Sequence, residues 1–180
     1  MMDSKENKSI KIQTTVDDHR IAKLAALAIS LHLVEAVLPS PLPGVKPGLA
    51  NIVTLFVLYR FDFATAAWVS FLRVFASSLL LGSFLSPTFA LSLSGAVFSL
   101  GMLFVGQYLP RKFFSAVSLS VLAAFAHMAG QLLVMRFWLI PHAGIAYLIP
   151  IFMGAALVFG VVNGLLTNYL LSMNSAKQAG

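Results

Sequence analysis

Long apolar runs, separated by short polar or proline-rich segments, occupy the sequence from Ile21 to Met173. A membrane-spanning helix takes roughly 20 apolar residues, so this stretch has room for about six spans joined by short loops. The pattern predicts spans at about 21–38, 49–59, 64–81, 86–105, 114–139 and 145–171. We therefore expect an all-α polytopic membrane protein, a bundle of about six transmembrane helices. Residues 21–173 would form the membrane domain, and residues 1–20 and 174–180 would be polar tails.

Prolines mark the breaks between the predicted spans. Four prolines lie within segment 39–47, which excludes a regular helix there and predicts a rigid loop after the first span. A second break falls at Pro141 to Gly144, and Pro150 is placed to kink the start of the sixth span.

Composition supports a membrane protein and narrows the chemistry. The chain is 59% hydrophobic and 10% charged, far from the roughly 25% charged residues of soluble domains. It has no cysteine, so disulfides and thiolate metal sites are excluded. The net charge of +6 does not indicate nucleic-acid binding, because the basic residues lie in flanks and loops rather than along one face. The first 20 residues lack a signal-peptide pattern and are interpreted as a tail.

The distribution of lysine and arginine predicts the orientation. With the N-terminus inside, two basic loop residues, Lys46 and Arg136, fall outside. Nine fall inside, and four of these remain when the N-terminal region up to Lys23 is left out, so the bias does not depend on the tail. The sequence thus predicts a multi-pass protein of the cytoplasmic (inner) membrane with both termini cytoplasmic. The nine inside residues are Lys5, Lys8, Lys11, Arg20, Lys23, Arg60, Arg111, Lys112 and Lys177.

Polar side chains within the spans are the candidate functional residues, because a charge at the centre of a bilayer costs roughly 2.5–3.5 kcal/mol. Arg73 lies near mid-depth of the third span, and Asn163 lies deeper on the sixth. His32 and Glu35 on the first span are three residues apart, and His127 and Gln131 on the fifth span are four apart, so each pair shares one helix face. We predict a ligand-binding site in the outer half of the membrane, beneath the proline-rich loop. Its candidate residues are Arg73, His127, Gln131, Glu35, Asn51, His32, Lys46 and Arg136.

A purely structural role is an alternative for each of these residues. Arg73 could pair with Glu35 as a tie between helices, His127 and Gln131 could bond to neighbouring helices, and Arg136 could reach the interface. For the set as a whole a lined cavity is favoured. The excess of basic residues over the single carboxylate of Glu35 indicates an anionic or polar-headed ligand.

Small residues recur at helical spacing on two spans. Ala22, Ala26 and Ser30 follow every fourth residue on the first span, and Gly160 and Gly164 form a Gly-xxx-Gly pattern on the sixth. Both patterns are typical of close helix packing, within the chain or against a partner membrane protein.

Catalytic motifs are absent from the sequence. There is no phosphate-binding loop and no His-Glu-x-x-His zinc motif. The one acidic doublet, Asp17-Asp18, lacks the third aspartate of the Asp-Asp-x-x-Asp motif of prenyl diphosphate synthases, and the chain has six acidic residues in all. We expect no catalytic residues, no metal and no cofactor.

The run from Leu38 to Leu55, with its core Pro43-Gly-Val-Lys-Pro-Gly-Leu-Ala-Asn51, resembles the Gx transporter family, also described as heptaprenyl diphosphate synthase component I. That family is similar to the substrate-binding S components of energy-coupling factor (ECF) transporters. The resemblance implies six helices, a ligand near the outer surface, and ATPases bound through a transmembrane coupling subunit. It also implies that Ala22, Ala26 and Ser30 dock on that subunit.

Three functions remain open at this point. The leading hypothesis is a membrane-embedded, S-component-like subunit for uptake of a small molecule. The alternative, which follows from the synthase name, is a non-catalytic membrane component of heptaprenyl diphosphate synthase that partners a soluble prenyl synthase. A membrane component of a redox or flavin-linked assembly is a third possibility, supported by no cofactor motif.

Overall fold

The computed structural model describes residues 15–38, 48–109, 115–139 and 143–179. Within these ranges the chain forms six α-helices and no strand, which confirms the all-α bundle. A π-helical turn, Met135–Leu139, continues the fifth helix, and a 3-10 segment, Ala143–Leu148, precedes the sixth. The helices are α1 Val16–Val37, α2 Leu49–Arg60, α3 Phe63–Leu80, α4 Pro87–Gly106, α5 Ala116–Val134 and α6 Ile149–Ala179.

Polar N-cap residues set where most of these helices begin. Asp62, Ser86 and Ser115 each accept a hydrogen bond from a backbone N–H in the first turn of α3, α4 and α5. Thr15 forms a reciprocal capping box with Asp18, and so α1 begins at Val16, five residues before the predicted span.

Four helical segments among the described residues are long and apolar enough to cross a membrane, which makes this a multi-pass membrane protein. These spans are Phe63–Leu80, Pro87–Gly106, Ala116–Leu139 and Gly144–Met173. The α1 helix has 22 residues but carries several charges. The α2 helix has only 12 residues. At 1.5 Å per residue it is about 18 Å long, well short of the roughly 30 Å hydrocarbon core.

The short α2 helix lies inside the bundle, packed against α1, α3 and α6. Val53 and Val57 of α2 join an apolar cluster with Ala28 of α1 and Val69 of α3. On its other side Leu55 joins a cluster with residues of α4 and α5. This position places the start of α2 among the polar residues of the other helices.

The Gly-xxx-Gly pattern of α6 packs within the chain. A Cβ atom at Gly164 would lie 2.5 Å from the Cα of Val117, and one at Gly160 would lie 2.9 Å from the Cα of Val121. These distances are too short for a side chain, so glycine allows α5 and α6 to pack backbone against backbone. Of the two readings of this pattern, the structure supports packing within the chain.

Candidate ligand-binding site

The start of α2 is held by two other helices. Gly48 caps it in the left-handed conformation, with φ +70° and no side-chain cap. Its backbone N–H donates to Oε1 of Glu35 on α1. Its carbonyl accepts a hydrogen bond from Nδ2 of Asn163 on α6, at 3.3 Å. Because Asn163 lies well inside the span Gly144–Met173, α2 begins within the depth of the membrane rather than at its surface.

Arg73 connects α3 to the same point. Its side chain is only 5% exposed, and Nη1 donates to Oδ1 of Asn51, in the first turn of α2, at 3.1 Å. The carboxylate of Glu35, 2% exposed, attracts the guanidinium electrostatically. The alternative of a direct tie between Arg73 and Glu35 stays a prediction. The hydrogen bonds attach both side chains to the start of α2, Glu35 to Gly48 and Arg73 to Asn51.

His127 and Gln131 share one face of α5, as their spacing predicts, and their Nε2 atoms lie 3.2 Å apart. The imidazole packs against α4 at Gly95, where an added Cβ would lie 2.6 Å from Cε1 and Nε2 of the ring. His127 also interacts electrostatically with Arg73 and with the half-buried His32. These contacts bring α4 and α5 into the polar cluster. We define this cluster, the polar hub, as Glu35, Gly48, Asn51, Arg73, His127, Gln131 and Asn163.

Several buried polar atoms in and beside the polar hub have no hydrogen-bond partner among the described residues. Nε of Arg73 and Nδ1 of His127 belong to the hub itself. The hydroxyls of Ser77 and Thr54 lie one helical turn from Arg73 and Asn51 respectively. An unsatisfied buried polar group costs about 1–3 kcal/mol, so a group of four indicates that partners from outside the described residues satisfy them.

A small void lies next to the hub, between α2, α4, α5 and α6. Its volume is about 20 Å³, enough for one water molecule. Thr54 and the buried Ser99 and Ser120 line it, together with Asn51 and Asn163 of the hub. The void gives the hydroxyl of Thr54 room for a small polar partner.

The other predicted residues lie elsewhere. Lys46 falls in segment 39–47, outside the described residues. Arg136 is exposed and lines a separate groove between the ends of α5 and α6. Ala22, Ala26 and Ser30 are all exposed on the outside of α1. The structure therefore brings together Arg73, Glu35, Asn51, His127 and Gln131, with His32 nearby, and leaves Arg136 apart.

Sequence reasoning left out three residues that shape the hub. Asn163 stood out as polar but was not assigned to the site, although it binds the start of α2. Gly48 lies in the Pro43-to-Asn51 core but was not assigned to the site, and Gly95 gave no distinct signal among 12 glycines. Among the described residues no three His, Asp or Glu side chains group as metal ligands. The side chains of the hub are one guanidinium, one imidazole, three amides and one carboxylate.

Comparison with known proteins identifies one family. The sequence model of a family described as heptaprenyl diphosphate synthase component I matches residues 24–170, which include every residue of the polar hub. Searches of curated proteins and of solved structures found no match.

Proposed function

The chain belongs to the heptaprenyl diphosphate synthase component I family, and from its polar hub we propose that it is a substrate-binding subunit, similar to an S component, for uptake of a small molecule. In this proposal it lies in the cytoplasmic membrane with both termini in the cytoplasm. The observation that carries the proposal is the set of buried polar atoms of Arg73, His127 and Ser77 that have no hydrogen-bond partner among the described residues. Polar groups buried at membrane depth are costly, and a bound polar ligand would satisfy them.

The start of α2 favours a ligand with an anionic group. The hub contains one guanidinium, that of Arg73, and one carboxylate, that of Glu35, so its two side-chain charges balance. The α2 helix also begins there, and a helix N-terminus within the membrane carries partial positive charge that favours anions. The α2 start and Arg73 would bind the anionic group together, and Glu35 would orient a donor of the ligand.

The exposed face of α1 is the proposed docking surface for a transmembrane coupling subunit that carries ATPases. Ala22, Ala26 and Ser30 are small and exposed, and Ser30 bonds to its own helix through the carbonyl of Ala26 at 2.9 Å. The face therefore presents few atoms that would hinder close approach of another helix.

A second function follows from the family description. As a component of heptaprenyl diphosphate synthase, the chain would be a non-catalytic membrane partner of a soluble prenyl synthase. The non-catalytic part of this proposal rests on the sequence, which lacks the third aspartate of the Asp-Asp-x-x-Asp motif of prenyl diphosphate synthases.

Affinity purification from native membranes separates the two functions. We expect the tagged chain to retain a membrane subunit together with ATPases. Ala26→Trp should abolish this retention, whereas Ala64→Trp, a matched change at an exposed position on α3, should leave it unchanged.

Retention of a soluble prenyl synthase without ATPases, combined with loss of long-chain prenyl product when the chain is deleted, would overturn the uptake role. Retention of ATPases that Ala26→Trp and Ala64→Trp affect equally would instead reject the docking face on α1.

A further inference from the structure

A groove lies beside the helices α5 and α6, away from the point where their backbones meet. At that point Gly160 and Gly164 of α6 lie directly against the backbone of α5 at Val121 and Val117. The groove lies between the C-terminal end of α5 and the N-terminal end of α6, and its volume is about 530 Å³. This volume is far larger than the void beside the polar hub.

The lining of the groove is almost entirely apolar. Leu132, Ile145 and Met153 belong to one apolar cluster and form part of the wall. Methionine adapts its shape to irregular apolar contacts, so such a wall accommodates a flexible hydrocarbon chain. Arg136 is the one charged residue of the groove as the described residues define it.

Irregular backbone and aromatic residues surround Arg136. It lies in the π-helical turn Met135–Leu139, and the 3-10 segment Ala143–Leu148 faces it across the groove. The neighbouring Phe137 and Trp138, and Tyr147 on the other side, are 78%, 63% and 85% exposed. Exposed tryptophan and tyrosine are typical of the level of lipid headgroups, so Arg136 lies at phosphate depth.

The groove is separate from the polar hub. Helical residues advance by about 100° each, so Arg136, nine residues after His127, points to the opposite face of α5. Ala129 and Leu133 of the groove lie on that same opposite face. A molecule in the groove would therefore contact the lipid-facing side of α5 and not the hub.

We propose that the groove is a binding site for an anionic phospholipid, with one acyl chain against Leu132, Ile145 and Met153 and the phosphate bound by Arg136. The apolar lining matches the chain, and the single cation matches the headgroup. This inference does not depend on the proposed uptake function.

Native mass spectrometry of the purified full chain tests whether the site prefers an anionic headgroup. The protein is titrated with phosphatidylglycerol and with phosphatidylcholine that carry identical acyl chains. We expect phosphatidylglycerol to bind about fivefold more tightly, which corresponds to one arginine at the membrane surface. Arg136→Gln should remove the preference, while Arg136→Lys and the control Arg60→Gln, exposed at the end of α2, should retain it.

Filling the groove with a bulky side chain tests whether an acyl chain binds there. Ala146→Trp places a ring in the groove and should lower the binding of both lipids several-fold, whereas Val158→Trp, on the opposite face of α6, should not. Equal affinity of the wild type for both lipids, a preference that survives Arg136→Gln, or unchanged binding by Ala146→Trp would each overturn the proposal. A different result would be a wild type that shows no lipid preference and co-purifies with another protein that Ala146→Trp no longer retains. That result would identify a protein as the occupant of the groove and would also overturn the proposal.

Discussion

Arg73 on α3 donates a hydrogen bond from Nη1 to Oδ1 of Asn51, in the first turn of α2, at 3.1 Å. Both residues lie where α2 begins inside the membrane, beside Glu35 and Gly48. This contact ties a long membrane-spanning helix to the short helix at the centre of the bundle. Nε of the same guanidinium has no hydrogen-bond partner among the described residues.

The bond between Arg73 and Asn51 should contribute measurably to stability. Asn51→Ala removes the acceptor of a buried charged group, and we expect a loss of about 1–3 kcal/mol in the free energy of unfolding. Unfolding in mixed detergents is the measurement. In an Arg73→Met background the same change should cost much less, because the donor is gone. Equal costs in the two backgrounds would show that the side chains do not interact.

Gly95 should be required for the position of the His127 ring. Gly95→Ala places a Cβ 2.6 Å from that ring, and the clash should destabilise the protein by about 1–3 kcal/mol. Gly101→Ala on the same helix is the control, since nothing lies within 4 Å of its Cβ, and it should stabilise α4 by roughly 0.5–1 kcal/mol. Thermal unfolding of the two variants distinguishes the positions. Similar shifts of the same sign would refute the contact between α4 and His127.

Gly48 and Gly82 allow the backbone and packing effects of a substitution to be separated. Both adopt positive φ, +70° and +64°, so alanine at either position should cost about 1–2 kcal/mol in backbone strain. At Gly48 the added Cβ would also lie 3.2 Å from Nδ2 of Asn51, whereas at Gly82 it meets open space. We expect Gly48→Ala to be the more destabilising change in the same unfolding assay. If Gly82→Ala costs as much, the start of α2 is not packed against Asn51 as described.

Asp62 should stabilise α3 in a pH-dependent way. The backbone N–H and the hydroxyl of Thr65 donate to its carboxylate and hold the pKa of Asp62 below its ordinary value of 3.8. The stabilisation is therefore complete above the pKa of the unfolded chain and is lost as the pH falls through the lowered pKa of the folded protein. At pH 7, Asp62→Ala should cost about 1 kcal/mol, and the difference from the wild type should shrink under acid conditions.

Asp62→Asn provides the control for this effect. Asparagine caps helices as well as aspartate does but carries no titrating group. This variant should keep α3 capped at neutral pH, and its stability relative to Asp62→Ala should not change with acidification. A difference between wild type and Asp62→Ala that stays constant down to pH 3 would contradict the assigned cap.

The sequence predicted the helices well because their signals are local. Apolar runs, prolines and N-cap residues lie within a few positions of the ends they determine, and the predicted spans differ from most helix ends by only a few residues. The spacing of His127 and Gln131 likewise predicted their shared face. The spacing of His127 and Arg136 likewise indicates that Arg136 lies apart from the site, since nine residues place the two side chains on opposite faces of α5.

The depth at which α2 begins could not be predicted from local pattern. Its 12 residues indicate a short helix, but only the bonds from Glu35 and Asn163 to Gly48 show where it lies. These residues are separated along the chain by 13 and 115 positions, and no periodicity connects them. The same holds for Gly95, which matters only because His127 packs against it from another helix.

The small molecules that the purified protein releases on denaturation test the central claim most directly. Wild type, Arg73→Gln and the exposed control Arg60→Gln are prepared in parallel, and the released compounds are quantified by mass spectrometry. We expect a polar compound with an anionic group in near-stoichiometric amount from the wild type and the control. From Arg73→Gln, whose fold is checked by circular dichroism, it should be strongly depleted. The same compounds in the same amounts from all three proteins would contradict a ligand site at the polar hub.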